Sequence, residues 1–214
     1  MTETLPLVLH LLVLAYWLGG DIGAFVASFL LTNKTLDPAQ RLAAARLVNH
    51  VDMAPKSCLI LALPTGLWLA QSRFWIDIPA WSVILVWVLA LAWLGLLWRQ
   101  HLAGANPVLT RIDMALRIVF AIGLGATGIA GLTGMLTLPV IIAVKLVLLS
   151  LIVCLGLLIR RSLGPLGGAL GALASGNVTD EANSAITSSL GLARFGVVLI
   201  WGLLLAATWL GASL

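Results

Sequence analysis

The chain has 214 residues, of which 61% are hydrophobic and only 9% charged, against roughly 25% charged in an ordinary soluble domain. A mean hydropathy of +1.11 excludes a soluble globular domain and makes this an integral membrane protein. The net charge of +4 does not call for a nucleic-acid partner, because the basic residues are sorted by position along the membrane spans.

Six apolar segments reach the length of about 20 residues that roughly 30 Å of hydrocarbon requires. They cover about 5–31, 51–71, 79–99, 116–135, 138–159 and 191–212. Strand-type alternation is missing, which predicts an all-α, single-domain bundle of six transmembrane helices over 1–214 rather than a barrel. The first segment follows "MTETLP", has no basic stretch ahead of it and is too long for a signal-peptide core, so it is read as a retained helix.

The connection at about 32–50 contains Asp37, Pro38 and Gln40, the pattern of an N-cap, a first-turn proline and a capping box. It predicts a helix, partly outside the membrane, that enters the second span with a bend near Pro55 or Pro64. Asn106 and Pro107 repeat the signal in the connection at about 100–115. The connection at about 160–190 carries "GPLGGALGALASGNVTDEANS", which predicts a flexible loop with Thr179 capping the last helix.

These three connections and the adjoining span ends hold Lys34, Arg41, Arg46, Lys56, Arg99, Arg111, Arg117, Arg160, Arg161 and Arg194, whereas the opposite side holds only Arg73. Such a bias places the connections in the cytoplasm and both termini outside, on the periplasmic face of a bacterial inner membrane. Comparing the chain with itself aligns "VDMA" with "IDMA" and "LGLLWRQHL" with "LGLLIRRSL" at one common offset. Spans two and three thus read as a hairpin duplicated in spans four and five, a parallel repeat. Cys58 and Cys154 lack CxxC spacing and indicate neither a disulfide nor a metal site.

Ionisable groups inside a membrane cost at least about 2.5 to 3.5 kcal/mol at the span centre, so each is a site candidate. His10 and Lys145 lie roughly 8 and 10 Å below the outer boundary at the usual helical rise, which puts them at one level. A neutral imidazole suits haem iron, and a lysine beside it suits a second ligand, a propionate partner or a proton donor. The alternatives are an interhelical histidine and a snorkelling lysine.

Asp21 lies deeper, among Gly19, Gly20 and Gly23, which admit a neighbouring helix. Lys56 is its expected ion-pair partner, with a proton or substrate site as the other reading. His50 and His101, at the cytoplasmic ends of spans two and three, are a second candidate metal pair. Asp52 and Asp113 read as first-turn residues that complement helix dipoles. Trp75, Trp81, Trp98 and Trp209 fit interfacial belts, while Trp17, Trp87 and Trp93 lie deeper, as packing or as flanks of a porphyrin.

The stretch "LHLLVLAYWLGG", with His10, Trp17, Gly19 and Gly20, and the later "AVKLVLLSLIVCLGLLIRR", with Lys145, resemble the CopD and HemJ superfamily of small bacterial membrane proteins. The resemblance implies haem b on His10, with Lys145 and Trp17 near it, and protoporphyrinogen oxidation or copper uptake. Asp21 after the paired glycines departs from that pattern, as does the lack of histidine and methionine clusters for copper.

The leading expectation is a haem b protein acting in electron transfer or porphyrin oxidation, with a quinone or redox protein as partner. The alternatives are a transporter or proton carrier using Asp21 and Lys145, and a structural anchor subunit. No P-loop or HExxH motif is present, nor any GxGxxG in a strand-to-helix setting, so any chemistry lies within the bundle or on a partner, the lipid bilayer being its solvent. Self-association into an oligomer is compatible with each reading.

Overall fold

The computed structural model describes residues 4–104, 106–176 and 178–212. These form eight helices: α1 (Thr4–Thr32), α2 (Pro38–Val51), α3 (Met53–Ser72), α4 (Ala80–Ala103), α5 (Pro107–Leu132), α6 (Val140–Ser162), α7 (Leu166–Ala174) and α8 (Asp180–Ala212). Six spans are long and apolar enough to cross a membrane, with α2 and α3 together forming the second. The fold is therefore the expected all-α bundle of a multi-pass membrane protein. Large apolar side chains such as Leu85, Val119, Ile122 and Leu205 face outward, as they must where the surrounding medium is hydrocarbon.

The capping chemistry stands where the sequence places it. Asp37 accepts from the Gln40 amide at 2.7 Å and Gln40 returns a bond to the Asp37 amide at 3.2 Å, a complete capping box. Asn106 caps α5 through the Val108 amide, and Thr179 caps α8 through the Ala182 amide at 3.1 Å.

One expectation is sharpened and one corrected. The break in the second span falls at Asp52, between α2 and α3, near Pro55 as expected and away from Pro64. The Pro55 ring would collide with the carbonyl of the residue four positions earlier, Val51, so the helix ends there and restarts; Pro64 is carried inside α3. α5 starts at Pro107, as the Asn106–Pro107 signal predicts, and only a few residues separate it from α4. The glycine-rich third connection contains α7, whose Ala169 and Leu173 are buried; Ala169 packs with Leu31, Ala44 and Ile186. Small residues let α7 lie flat against α2 and α8.

α1, α3, α6 and α8 surround the main core with α5 behind them, through Val13, Trp17, Leu59, Leu124, Ile152 and Ile200. α4 is attached to α3 and α5 through Ala90, Trp93 and Leu97. Gly20 lets α1 and α3 approach closely: a Cβ there would lie 2.6 Å from Pro55 Cδ. Gly23 likewise faces Val51, whereas Gly19 has open space beside it, so only two of the three glycines serve the contact.

The hairpins α3–α4 and α5–α6 share a connector. Arg73–Pro79 and Thr133–Pro139 each begin at a helix C-cap and end on a proline N-cap. Their second residues, Phe74 and Gly134, both have positive φ, 58° and 77°. The two copies differ in packing, since Gly128 and Gly131 bring α5 against Ala143 of α6 while α3 and α4 have no such seam among the described residues.

Candidate functional site

α1 carries its polar residues on the side that faces the bundle. His10, Trp17, Asp21 and Ser28 recur at intervals of seven, four and seven, which keeps them on one stripe of a helix with 3.6 residues per turn. α3 and α8 run antiparallel to that stripe. His10 meets Thr65 and, ten residues on, Gly20 meets Pro55. Ser28 meets Arg194 of α8, and Phe25, three residues earlier, meets Trp201, seven residues later.

At the end of the bundle bearing both termini, the His10 Nδ1 lies 2.9 Å from Thr65 Oγ1. That hydroxyl donates to the Leu61 carbonyl at 2.7 Å, so its proton is committed and it accepts from His10. The imidazole is thereby fixed with Nδ1 protonated and the Nε2 lone pair free. Gly66 makes room for the ring, since a Cβ there would stand 3.1 Å from Cε1. Lys145 is near enough for its charge to act on His10, and its Nζ sits against Gly211 of α8, 2.7 Å from where a Cβ would be. The two residues thus lie at the same end of the bundle.

Deeper, Asp21 is 8% exposed, with the indoles of Trp17 and Trp201 beside it and Asp52 acting on it from the far end of α2. Its Oδ2 and the Trp201 Nε1 are both buried without a hydrogen-bond partner among the described residues. The expected Asp21–Lys56 pair does not form. Lys56 pairs instead with Asp52, one helical turn away, at 2.5 Å, because the restart of α3 at Met53 puts Asp52 at its N-cap and Lys56 on the same face. Trp17, expected near a cofactor, is 4% exposed and packs in the main core.

The opposite end is held by cations on buried acceptors. Arg41 donates to the Leu31 carbonyl and to Asn183. Arg194 donates to Ser28 and Thr32 and lies 3.8 Å over the Phe29 ring. Asp113, expected as a first-turn residue that complements the helix dipole, is 1% exposed. It accepts from Trp93 Nε1 at 2.9 Å, Arg117 at 3.0 Å and Arg160 at 2.6 Å. It sits nearly two turns into α5, facing α4 and α6, so it joins three helices rather than complementing one dipole.

His50 and His101 come together at this end, their ring centroids 4.8 Å apart. No group of three or more histidine, cysteine or acidic residues able to hold a metal occurs among the described residues. A lipid-side groove of about 450 Å³ runs between α1, α3 and α4, lined by Leu12, Tyr16, Cys58, Thr65, Trp87 and Trp98 among others. His10 does not line it, although its partner Thr65 does. The sequence names His10, Lys145 and Asp21; Thr65, Gly66 and Trp201 escape it, because each becomes relevant only through the helix opposite.

No family model, curated protein or solved structure matches this chain. The functional reading rests on the residues themselves.

Proposed function

We propose that this protein carries protons, or a cation coupled to them, across a bacterial inner membrane, with Asp21 as the intramembrane carrier and the His10–Lys145 pair at the periplasmic entrance. The observation that carries the reading is the Asp21 carboxyl: buried, with one oxygen unpartnered, and no cation paired to it among the described residues. An intramembrane carboxyl held for structure alone acquires a basic partner, as Asp113 does. One without such a partner remains free to exchange a proton.

His10 is about 16 Å from Asp21 along α1 at the usual rise, too far for a direct hop, so transfer between them passes through water admitted along the α1 stripe. On the cytoplasmic side Asp52 and Lys56 mark the exit.

The test is proton flux into liposomes containing the purified protein, driven by a potassium diffusion potential and read by an internal pH dye. Flux is expected from the unmodified protein, none from Asp21→Asn, and a reduced flux from Asp21→Glu, with all three eluting as folded monodisperse protein. Equal flux from Asp21→Asn, or none from the unmodified chain, refutes the reading.

One observation favours a second reading. The Thr65 hydroxyl leaves the His10 Nε2 lone pair free, the state in which imidazole binds haem iron. His10 would then hold haem b and Lys145 would face a propionate, in line with the resemblance to the CopD and HemJ superfamily. The haem would supply one-electron chemistry. A reduced-minus-oxidised Soret difference lost in His10→Ala would support this reading, and a colourless preparation from haem-replete cells would overturn it.

A further inference from the structure

We propose that His50 and His101 form a two-imidazole site for a divalent transition-metal ion of the zinc or copper class, clamping α2 to α4 at the connection-bearing end of the bundle. The two residues are 51 positions apart in sequence, yet the fold sets their rings 4.8 Å apart between centroids and 76° between planes.

That separation fits a shared ion. With each ring nitrogen about 2.1 Å from the metal, the ring centroid stands about 3.2 Å from it, so two rings at right-angled to tetrahedral geometry have centroids roughly 4.5 to 5.2 Å apart. The observed value lies inside this interval.

The orientation of His50 is set independently. Its Nδ1 lies 3.1 Å from the Arg46 carbonyl, which can only accept, so Nδ1 is the donor and Nε2 carries the lone pair. A ligating histidine usually has this arrangement, the other nitrogen tied to a carbonyl that fixes tautomer and ring direction. The Trp98 ring stands edge-on to His101 at 6.0 Å, and its own Nε1 is engaged by Ser57 at 3.2 Å, so the wall on that side is fixed.

Imidazole nitrogen selects zinc, copper or nickel over magnesium or calcium. Two protein ligands leave the remaining positions to water or to an incoming group. The site lies at the far end of the bundle from His10 and does not depend on the proton-carrier reading.

The test uses the full chain in detergent, purified through a tag free of histidine and stripped with chelator. Zn²⁺ is titrated in competition with a chromophoric chelator, and Cu²⁺ is examined by electron paramagnetic resonance. One zinc per chain is expected, with nitrogen hyperfine structure from two imidazoles on the copper signal. His50→Ala and His101→Ala should each weaken zinc binding at least about tenfold, while His10→Ala leaves it unchanged. Lack of stoichiometric binding by the unmodified chain overturns the proposal without recourse to any variant. Binding that survives the His50→Ala, His101→Ala double variant, or that disappears in His10→Ala, overturns it as well.

Discussion

Replacing Asp113 with alanine tests whether the buried cluster at the α4–α5–α6 junction holds the bundle together. The carboxylate side chain is 2% exposed and that of Arg117 10%, so the substitution leaves a guanidinium and the Trp93 indole N–H in a protein interior without their acceptor. Stranding one member of a buried pair costs about 3 to 5 kcal/mol. Arg160 adds little, because its side chain is 41% exposed and can turn to water, where such pairs contribute below about 1 kcal/mol.

The expected loss is therefore about 3 to 5 kcal/mol, measured by equilibrium unfolding in mixed micelles with rising SDS fraction. The double variant Asp113→Ala, Arg117→Met should regain a substantial part of that loss, since the stranded charge is gone and the methionine packs on Trp93. A loss below about 1 kcal/mol, or simple additivity of the two substitutions, would refute the reasoning.

Other positions give further expected outcomes. Phe74 is 89% exposed at a φ of 58°, a region that costs a side chain roughly 1 to 2 kcal/mol. Phe74→Gly should therefore raise the unfolding midpoint, as the glycine at the equivalent connector position, Gly134, implies. Gly20→Ala places a methyl 2.6 Å from Pro55 Cδ and 2.9 Å from Ala54 Cβ, neither of which can turn away. It should destabilise by about 1 to 3 kcal/mol, and a neutral result in the same micelle assay would contradict the α1–α3 contact. Asp37→Ala removes the α2 capping box at a cost of about 1 kcal/mol, visible as faster amide exchange in α2 with the spans unaffected. Thr65→Val should release the His10 ring and change its proton chemical shifts while leaving the fold intact; unchanged shifts would argue against the hydrogen bond.

Much of the fold was legible because solvent decides it. In hydrocarbon each span must satisfy its own backbone, so long apolar runs can only be helices, and local cap chemistry at Asp37, Asn106 and Thr179 marks starts that no neighbour can shift. The break at Asp52 was legible to within a few residues, since two candidate prolines, Pro55 and Pro64, and one aspartate compete within a short stretch. α7 was missed because small residues and glycines score as loop until a groove between α2 and α8 makes their smallness useful.

The candidate site divides in the same way. Depth along a helix is fixed by residue count at a constant rise, so the sequence alone set His10 level with Lys145 and Asp21 well below them. Rotation about the helix axis and the identity of the facing helix are not fixed by count. They come from packing, where Gly20 lets α3 approach, where Ser28 and Arg194 set the register of α8, and where the restart after Asp52 turns Lys56 away from Asp21. Only the tertiary structure could pair Asp113 with Arg117 and Arg160, bring His50 to His101 and leave one Asp21 carboxyl oxygen without a partner among the described residues. Such contacts join helices distant in sequence, and no short-range rule along one chain specifies which faces meet.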